Sequence, residues 1–241
     1  MKVLVIGGSG HVGSLMLPIL KQHHTLRVFD LRPPADTTLD YVAGDVTHYD
    51  ALLGAAQNMD ALIYMAMGNL AWDTISGITT AFDVNAKGVY LALKAAHDAG
   101  IRHAVYTSTM SVYKDPLEPP YYYSDEDIPP DSRHFYGLTK RFGEEICRSA
   151  AREYGMSVNA LRLCHPQDEE KWLAQTKAGV PTATRAAPVC STAFAHRSLA
   201  GGEQLCRLFQ PAAGVFSAVG YQDGDKHLQP IEGCIGTLGI G

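Results

Sequence analysis

No two of the five cysteines stand in a CxxC pair, and their odd number leaves one over in any pairing scheme. Cys147, Cys164, Cys190, Cys206 and Cys234 therefore argue for reduced thiols rather than a disulfide framework or a zinc site. Basic residues are not in excess: 20 Lys and Arg stand against 25 Asp and Glu, a formal net charge of −5. Such a chain lacks the positive surface that nucleic acid demands. Repeats and low-complexity blocks are missing. The opening apolar run, Val3 to Ile6, is cut short by Gly7 and Gly8; it is too short for a signal-peptide core and far too short to span a bilayer. These absences predict a cytoplasmic protein with neither nucleic acid nor a membrane as partner. The composition, 46% hydrophobic and 19% charged, is that of a globular chain and excludes disorder. A length of 241 residues suits one generous α/β domain, or a nucleotide-binding domain with a small appendage.

Through about residue 165, short apolar runs alternate with helical patterns, the mark of a parallel sheet wound with helices. Strands are expected over residues 2–6, 25–30, 41–45, 61–66, 103–109 and 157–163. Helices are expected over 11–23, interrupted by Pro18, over 81–99, stopped by Gly100, and over 135–154, stopped by Gly155. Residues 116–130, rich in Pro and Tyr, read as an irregular loop. From Thr184 onward no clean strand or helix period emerges, and glycines recur among thinly spread apolar residues. The fold expected is a Rossmann-type doubly wound α/β sheet over residues 1–166. Residues 167–241 would form a short, irregular appendage, a reduced or degenerate substrate-side region. The change of character after Thr184 further predicts a segment that has left its native reading frame; a naturally short, Gly-rich tail is the alternative.

Gly7-Gly8-Ser9-Gly10-His11-Val12-Gly13 falls between the first strand and the first helix. A tight turn there needs glycine's positive φ, and a backbone without side chains lets a pyrophosphate reach the helix N-terminus, beside His11 and Val12. Gly13 lets helix and strand pack closely. Asp30 ends the second strand, where a carboxylate accepts hydrogen bonds from both adenosine ribose hydroxyls and repels a 2′-phosphate. This favours NAD over NADP, although the guanidinium of Arg32 can pair with such a phosphate. Asp30 could instead cap the turn before Pro33. Asp45, with Val46 beside it, either meets the adenine edge or closes a turn.

Tyr136 and Lys140 form a YxxxK pattern on one face of the last helix. A free phenol, with a pKa of about 10, is a poor base. A neighbouring ammonium favours phenolate and pulls that value down, and the lysine can also hold the nicotinamide ribose. Thr107-Ser108-Thr109 ends the fifth strand, so its hydroxyls are expected to face the cofactor crevice. For Ser108 and Ser111 strand-end or loop capping is the better reading.

Together Gly7, Gly10, Gly13, Asp30, Asn85, the stretch from Thr107 to Tyr113, Tyr136 and Lys140 resemble the extended short-chain dehydrogenases, the NAD-dependent epimerase/dehydratase family. The phrase from Glu126 to Pro130 is similar to that family's acidic-proline loop, and Phe135 to Glu144 resembles its uronate dehydrogenase branch. The resemblance implies Thr109, Tyr136 and Lys140 as the catalytic residues. It also implies Asn85 as an organiser near the site and Met65-Ala66-Met67 as a loop beside the adenosine ribose and phosphates. Cys164-His165-Pro166 would wrap the nicotinamide. The implied activity is an oxidoreductase or epimerase acting on a sugar or sugar derivative, with Asp125, Glu126 and Tyr121 to Tyr123 bordering the substrate or lying on a solvated loop. A homodimer is one assembly open to it. Dehydratase chemistry fits less well, because Met110-Ser111 follow Thr109 where such members carry an acidic pair. Other departures are Lys114 for a glycine after Tyr113, Tyr64 with two methionines after the fourth strand, and the absence of a Tyr-Gly-Pro phrase after Arg162-Leu163. A non-catalytic dinucleotide-binding regulator is the competing reading, disfavoured by the retention of both Tyr136 and Lys140.

Overall fold

The computed structural model describes residues 1–69, 71–113, 130–163 and 166, and the backbone of residues 190–195 and 219–222. Successive residues of a strand face opposite sides of a sheet, so a strand covered on both sides must be apolar throughout. That is the case for β1 (Lys2–Ile6): Val3 and Val5 enter one core with Met16, Leu17 and Leu20 of α1 (His11–Leu20), while Leu4 and Ile6 enter the other. The second core is closed by α2 (Tyr49–Ala56), α4 (Val89–Asp98) and α5 (Phe135–Tyr154).

With β2 (Thr25–Asp30), β3 (Asp40–Ala43), β4 (Ala61–Tyr64), β5 (His103–Thr109), β6 (Ser157–Leu163), β7 (Cys190–Ala195) and β8 (Val219–Gln222), the sheet runs 3-2-1-4-5-6-7-8. Strands β1 to β6 pair in parallel, and β7 turns antiparallel to β6. The chain moves outward from β1 through β2 and β3, then returns to β4 on the other side. A crevice therefore opens at the carboxyl ends of β1 and β4, where ligands settle in such sheets.

Strands β1, β2, β5 and β6 and helix α5 lie where the sequence predicts them, and Gly155 ends α5 in the left-handed conformation at φ 62°. The differences have local causes. Strand β3 stops at Ala43 because the Asp45 carboxylate accepts from both the amide and the hydroxyl of Thr47, a turn at 2.8 Å in each case. Strand β4 ends at Tyr64; the Met65 amide still donates to the Ile6 carbonyl at 2.7 Å, and Ala66 then passes the glycine turn. The helix expected over 81–99 starts earlier, as α3 (Ile75–Phe82), since Thr74 caps it by accepting from the Gly77 amide at 3.0 Å. A π-helical turn, Asp83–Gly88, joins α3 to α4. Helix α2 carries no strong period and was not foreseen. Strands β7 and β8 lie in the stretch where no strand was expected: β7 pairs with β6 and β8 through the main chain and β8 forms the edge, and main-chain pairing needs no side-chain period that could be read. The loop 116–129, with Tyr121 to Tyr123, Asp125 and Glu126, and the pair Cys164 and His165 lie outside the described residues.

Candidate active site

The glycine turn is built by close approach. Gly7 has φ 80°, its amide donates to the Phe29 carbonyl at 2.9 Å, and a Cβ placed on it would stand 2.3 Å from the Ala66 nitrogen. A Cβ on Gly13 would meet the Gly8 carbonyl oxygen at 2.1 Å. Gly10, by contrast, has only the Gly7 oxygen near its Cβ position, at 3.3 Å. It caps α1 without a side-chain acceptor, and no acidic residue lies in the first turn. Among the described residues no carboxylate or hydroxyl caps the first turn of the helix, which fits a pyrophosphate there.

Asp30 braces this turn. Its carboxylate accepts from the Ser9 amide at 3.0 Å and the Arg32 amide at 3.2 Å, while the Ser9 hydroxyl donates to the Arg32 carbonyl at 2.7 Å. The turn-capping reading of Asp30 is therefore realised, and it leaves the carboxylate with further lone pairs at the end of β2. Asp45 likewise closes its turn, and the Thr47 amide, first among its partners, holds the carboxyl below the usual range. Val46 is buried in the core, Met65 is buried, Ala66 packs over Gly7, and Met67 is 47% exposed. The His11 ring is hydrogen-bonded to the Pro166 carbonyl at 2.9 Å, tying the start of α1 to the stretch after β6.

On α5, Tyr136 and Lys140 share a face as their spacing predicts. The Thr109 side chain stands beside the Tyr136 hydroxyl and acts to lower its pKa. Lys140 is 3% exposed; its Nζ donates to the Thr107 carbonyl at 2.9 Å and lies 5.0 Å from the centre of the Tyr106 ring. Burial pushes the Lys140 ammonium down to about 8, against the opposing influence of Cys147 and Glu144. Tyr136 corrects an expectation: its phenol is raised, not lowered. Desolvation outweighs the influence of Thr109, and the Lys140 ammonium is held at the Thr107 carbonyl.

The three strand-end hydroxyls also part company. Thr107 donates to the Tyr64 carbonyl at 2.9 Å and so does not face the crevice as expected; Ser108, read as a strand-end cap rather than a crevice group, donates to the Glu144 carboxylate at 2.6 Å, and Thr109 is left beside Tyr136. Ser111 donates its amide to the Thr109 hydroxyl at 3.2 Å. Asn85, 1% exposed on the π turn, joins the two halves of the site. Its Oδ1 accepts from the Gly68 amide and its Nδ2 donates to the Thr139 hydroxyl, both at 3.1 Å. Tyr64, a departure from the family pattern, donates to the Val84 carbonyl at 2.6 Å and so anchors the same π turn. Sequence reading missed Trp72, whose ring lies 5.1 Å from that of Tyr136 at an interplanar angle of 4°. No fixed spacing connects a loop indole to a helix phenol so far along the chain.

The model of the NAD dependent epimerase/dehydratase family matches residues 3–170. A UDP-glucose 4-epimerase of Lactobacillus helveticus is 29% identical over 170 residues, 67% of this chain and 51% of that one. A 3-beta-hydroxysteroid dehydrogenase of Mycolicibacterium neoaurum is 30% identical over 174 residues, 67% of this chain and 46% of that one. Among solved structures, a short-chain dehydrogenase/reductase superfamily protein from Agrobacterium tumefaciens with bound NAD superposes with a TM-score of 0.63 at 34% identity, covering 70% of this chain and 50% of the other. The chain spans about half the length of these relatives.

Proposed function

The chain belongs to the NAD dependent epimerase/dehydratase family, and from that premise we propose that it is an NAD-dependent oxidoreductase or epimerase of a sugar or sugar derivative, with Tyr136 as acid/base. The observation that carries this reading is the placement of Tyr136 one helical turn from a buried Lys140, whose Nζ is held by the Thr107 carbonyl near the carboxyl end of β5 that ends in Thr109. Bound NAD would supply the hydride acceptor or donor. The uncapped first turn of α1, with His11, Val12 and Gly13, would hold its pyrophosphate. Asp30 would take the ribose hydroxyls ahead of Arg32, and Met65 to Met67 would run beside the adenosine half. A buried phenol keeps its proton, so Tyr136 is set to deliver that proton to a substrate carbonyl oxygen and to reclaim it in reverse. The Thr109 hydroxyl would hold the same oxygen, and Lys140, with ammonium protons beyond the one given to the Thr107 carbonyl, would hold the nicotinamide ribose.

The sugar class rests on relatives such as the Lactobacillus epimerase. A second reading, an apolar alcohol such as a hydroxysteroid, is favoured by the half-exposed Met67 and by the Mycolicibacterium relative. The test is NADH formation, together with interconversion of substrate epimers (which leaves no net NADH), across a panel of uronic acids, aldoses, nucleotide sugars and 3β-hydroxysteroids. Tyr136→Phe should lower turnover by about 10²–10⁴-fold and spare NAD binding. NAD binding without turnover on any member would favour the regulatory alternative.

A further inference from the structure

Trp72 lies in the connection between β4 and α3 and stacks on the ring of Tyr136, at 5.1 Å between centroids and 4° between planes. Its own position is fixed from several sides. The indole Nε1 donates to the Asn69 carbonyl at 2.8 Å, and the Asn69 side chain accepts from the Ala71 amide at 2.9 Å. The Ala71 carbonyl in turn accepts from the Thr74 amide at 3.2 Å and the Thr74 hydroxyl at 2.9 Å. Gly77 packs against that carbonyl so closely that a Cβ there would stand 1.9 Å from its oxygen. Phe135 flanks the indole at 6.5 Å, and Phe82 meets Phe135 edge-on at 5.5 Å. One residue before Asn69, the Gly68 amide is held by Asn85, which also holds Thr139 next to Lys140. The strap that passes Gly7 with Ala66 thus ends, at Trp72, on the face of the phenol.

We propose that Trp72 is a positioning residue for Tyr136: the indole keeps the phenol ring in the plane that directs its hydroxyl at Thr109 and keeps water off one of its faces. The inference rests on the acid/base role of Tyr136 proposed above. A phenol turns freely about its side-chain bonds unless neighbours confine it, and an offset-stacked ring confines it without taking its hydrogen bond. Loss of that confinement misplaces the proton donor, and misplacement by an ångström is felt as a rate.

The test uses the full chain with NAD and the substrate the panel yields. Trp72→Leu should lower kcat about ten-fold or more and leave the affinity for NAD within about two-fold, while Trp72→Phe, which keeps a stackable ring, should restore most of the rate. In a Tyr136→Phe background, Trp72→Leu should cost nothing further, because the residue it serves is gone. The readout that needs no substrate is ultraviolet difference titration of tyrosinate, with the ionisation of Tyr136 assigned by its loss in Tyr136→Phe. Trp72→Leu should move that ionisation to lower pH, since burial is what raises it. Unchanged kcat and an unmoved ionisation in Trp72→Leu would overturn the proposal, as would an equal rate loss with and without Tyr136. Full turnover in Tyr136→Phe would instead defeat the acid/base reading, and the titration would still decide whether Trp72 governs the phenol.

Discussion

Arg162 and Glu144 form a two-point ion pair in the protein interior, Nε to Oε1 at 2.9 Å and Nη2 to Oε2 at 2.7 Å, with both side chains 1% exposed. Glu144 follows Tyr136 and Lys140 at successive helical turns of α5, and Arg162 comes from β6. The Ser108 hydroxyl donates to the same carboxylate, and the guanidinium donates to the Tyr113 hydroxyl and lies over its ring. The pair therefore ties the helix that carries Tyr136 to β6, and the Ser108 hydroxyl ties the same carboxylate to β5, the strand that carries Thr109. Burying two charges is costly, and removing one partner strands the other. Arg162→Met is expected to lower unfolding free energy by about 3–5 kcal/mol in urea denaturation, and Glu144→Leu added to it to recover much of that loss. A single variant within about 1 kcal/mol of the parent would contradict this account.

Asp30 has two duties that substitution can separate. Because it braces Ser9 and Arg32, Asp30→Ala should loosen the turn as well as remove the ribose acceptor. Charge-assisted hydrogen bonds are worth about 1.5–3 kcal/mol each, so NAD affinity should fall roughly ten-fold or more while NADP affinity falls less. Fluorescence titration with both cofactors measures this. Equal affinities in the parent protein would transfer the role to Arg32.

Lys140 makes stability depend on pH in a predictable direction. Its folded value of about 8 lies below the ordinary 10.5, so between those values the unfolded chain binds a proton that the folded one does not. Stability from this group therefore rises with pH across that window, and its burial penalty is fully present below pH 8. Lys140→Met should gain on the parent as pH falls from about 10.5 to 8, by at most about 1.4 kcal/mol per unit, and no further below. Denaturation of both proteins across the window checks it; a difference that does not vary with pH would mean that the folded lysine keeps its ordinary value.

Much of this arrangement was readable from sequence because it is local. Apolar runs gave β1, β2, β5 and β6, and Gly155 and the 3.6-residue period gave α5. Tyr136 with Lys140, and Gly7 with Gly13, stand at spacings whose geometry follows from helix and turn alone. The partners of the Thr107 and Ser108 hydroxyls were not readable, because each depends on which neighbour, Tyr64 or Glu144, arrives from elsewhere. The sign of the Tyr136 shift failed for the same reason: proximity of a lysine is visible in sequence, and the carbonyl that engages it is not. Strands β7 and β8, held by backbone pairing at one end of the sheet, leave little trace in side-chain order.

Gly10 and Gly13 occupy the same turn for different reasons, and alanine distinguishes them. A Cβ on Gly13 would stand 2.1 Å from the Gly8 oxygen and 2.4 Å from its carbon, so α1 must shift from the turn to admit it. Gly13→Ala should therefore destabilise the folded chain itself, by about 1–3 kcal/mol as overpacked sites do, with cofactor binding lost alongside. At Gly10 the backbone is extended, at φ −81° and ψ −179°, a conformation alanine adopts freely, and only the Gly7 oxygen lies near, at 3.3 Å. Among the described residues only the Gly7 oxygen, which must yield by a few tenths of an ångström, opposes a methyl group there; a pyrophosphate lying against the uncapped first turn would oppose it far more. Gly10→Ala should hence unfold within about 0.5 kcal/mol of the parent, as a surface substitution does, yet bind NAD at least roughly ten-fold more weakly. Thermal unfolding and NAD titration of both variants give the comparison. Normal NAD affinity in a stable Gly10→Ala would mean that the dinucleotide does not rest on this turn.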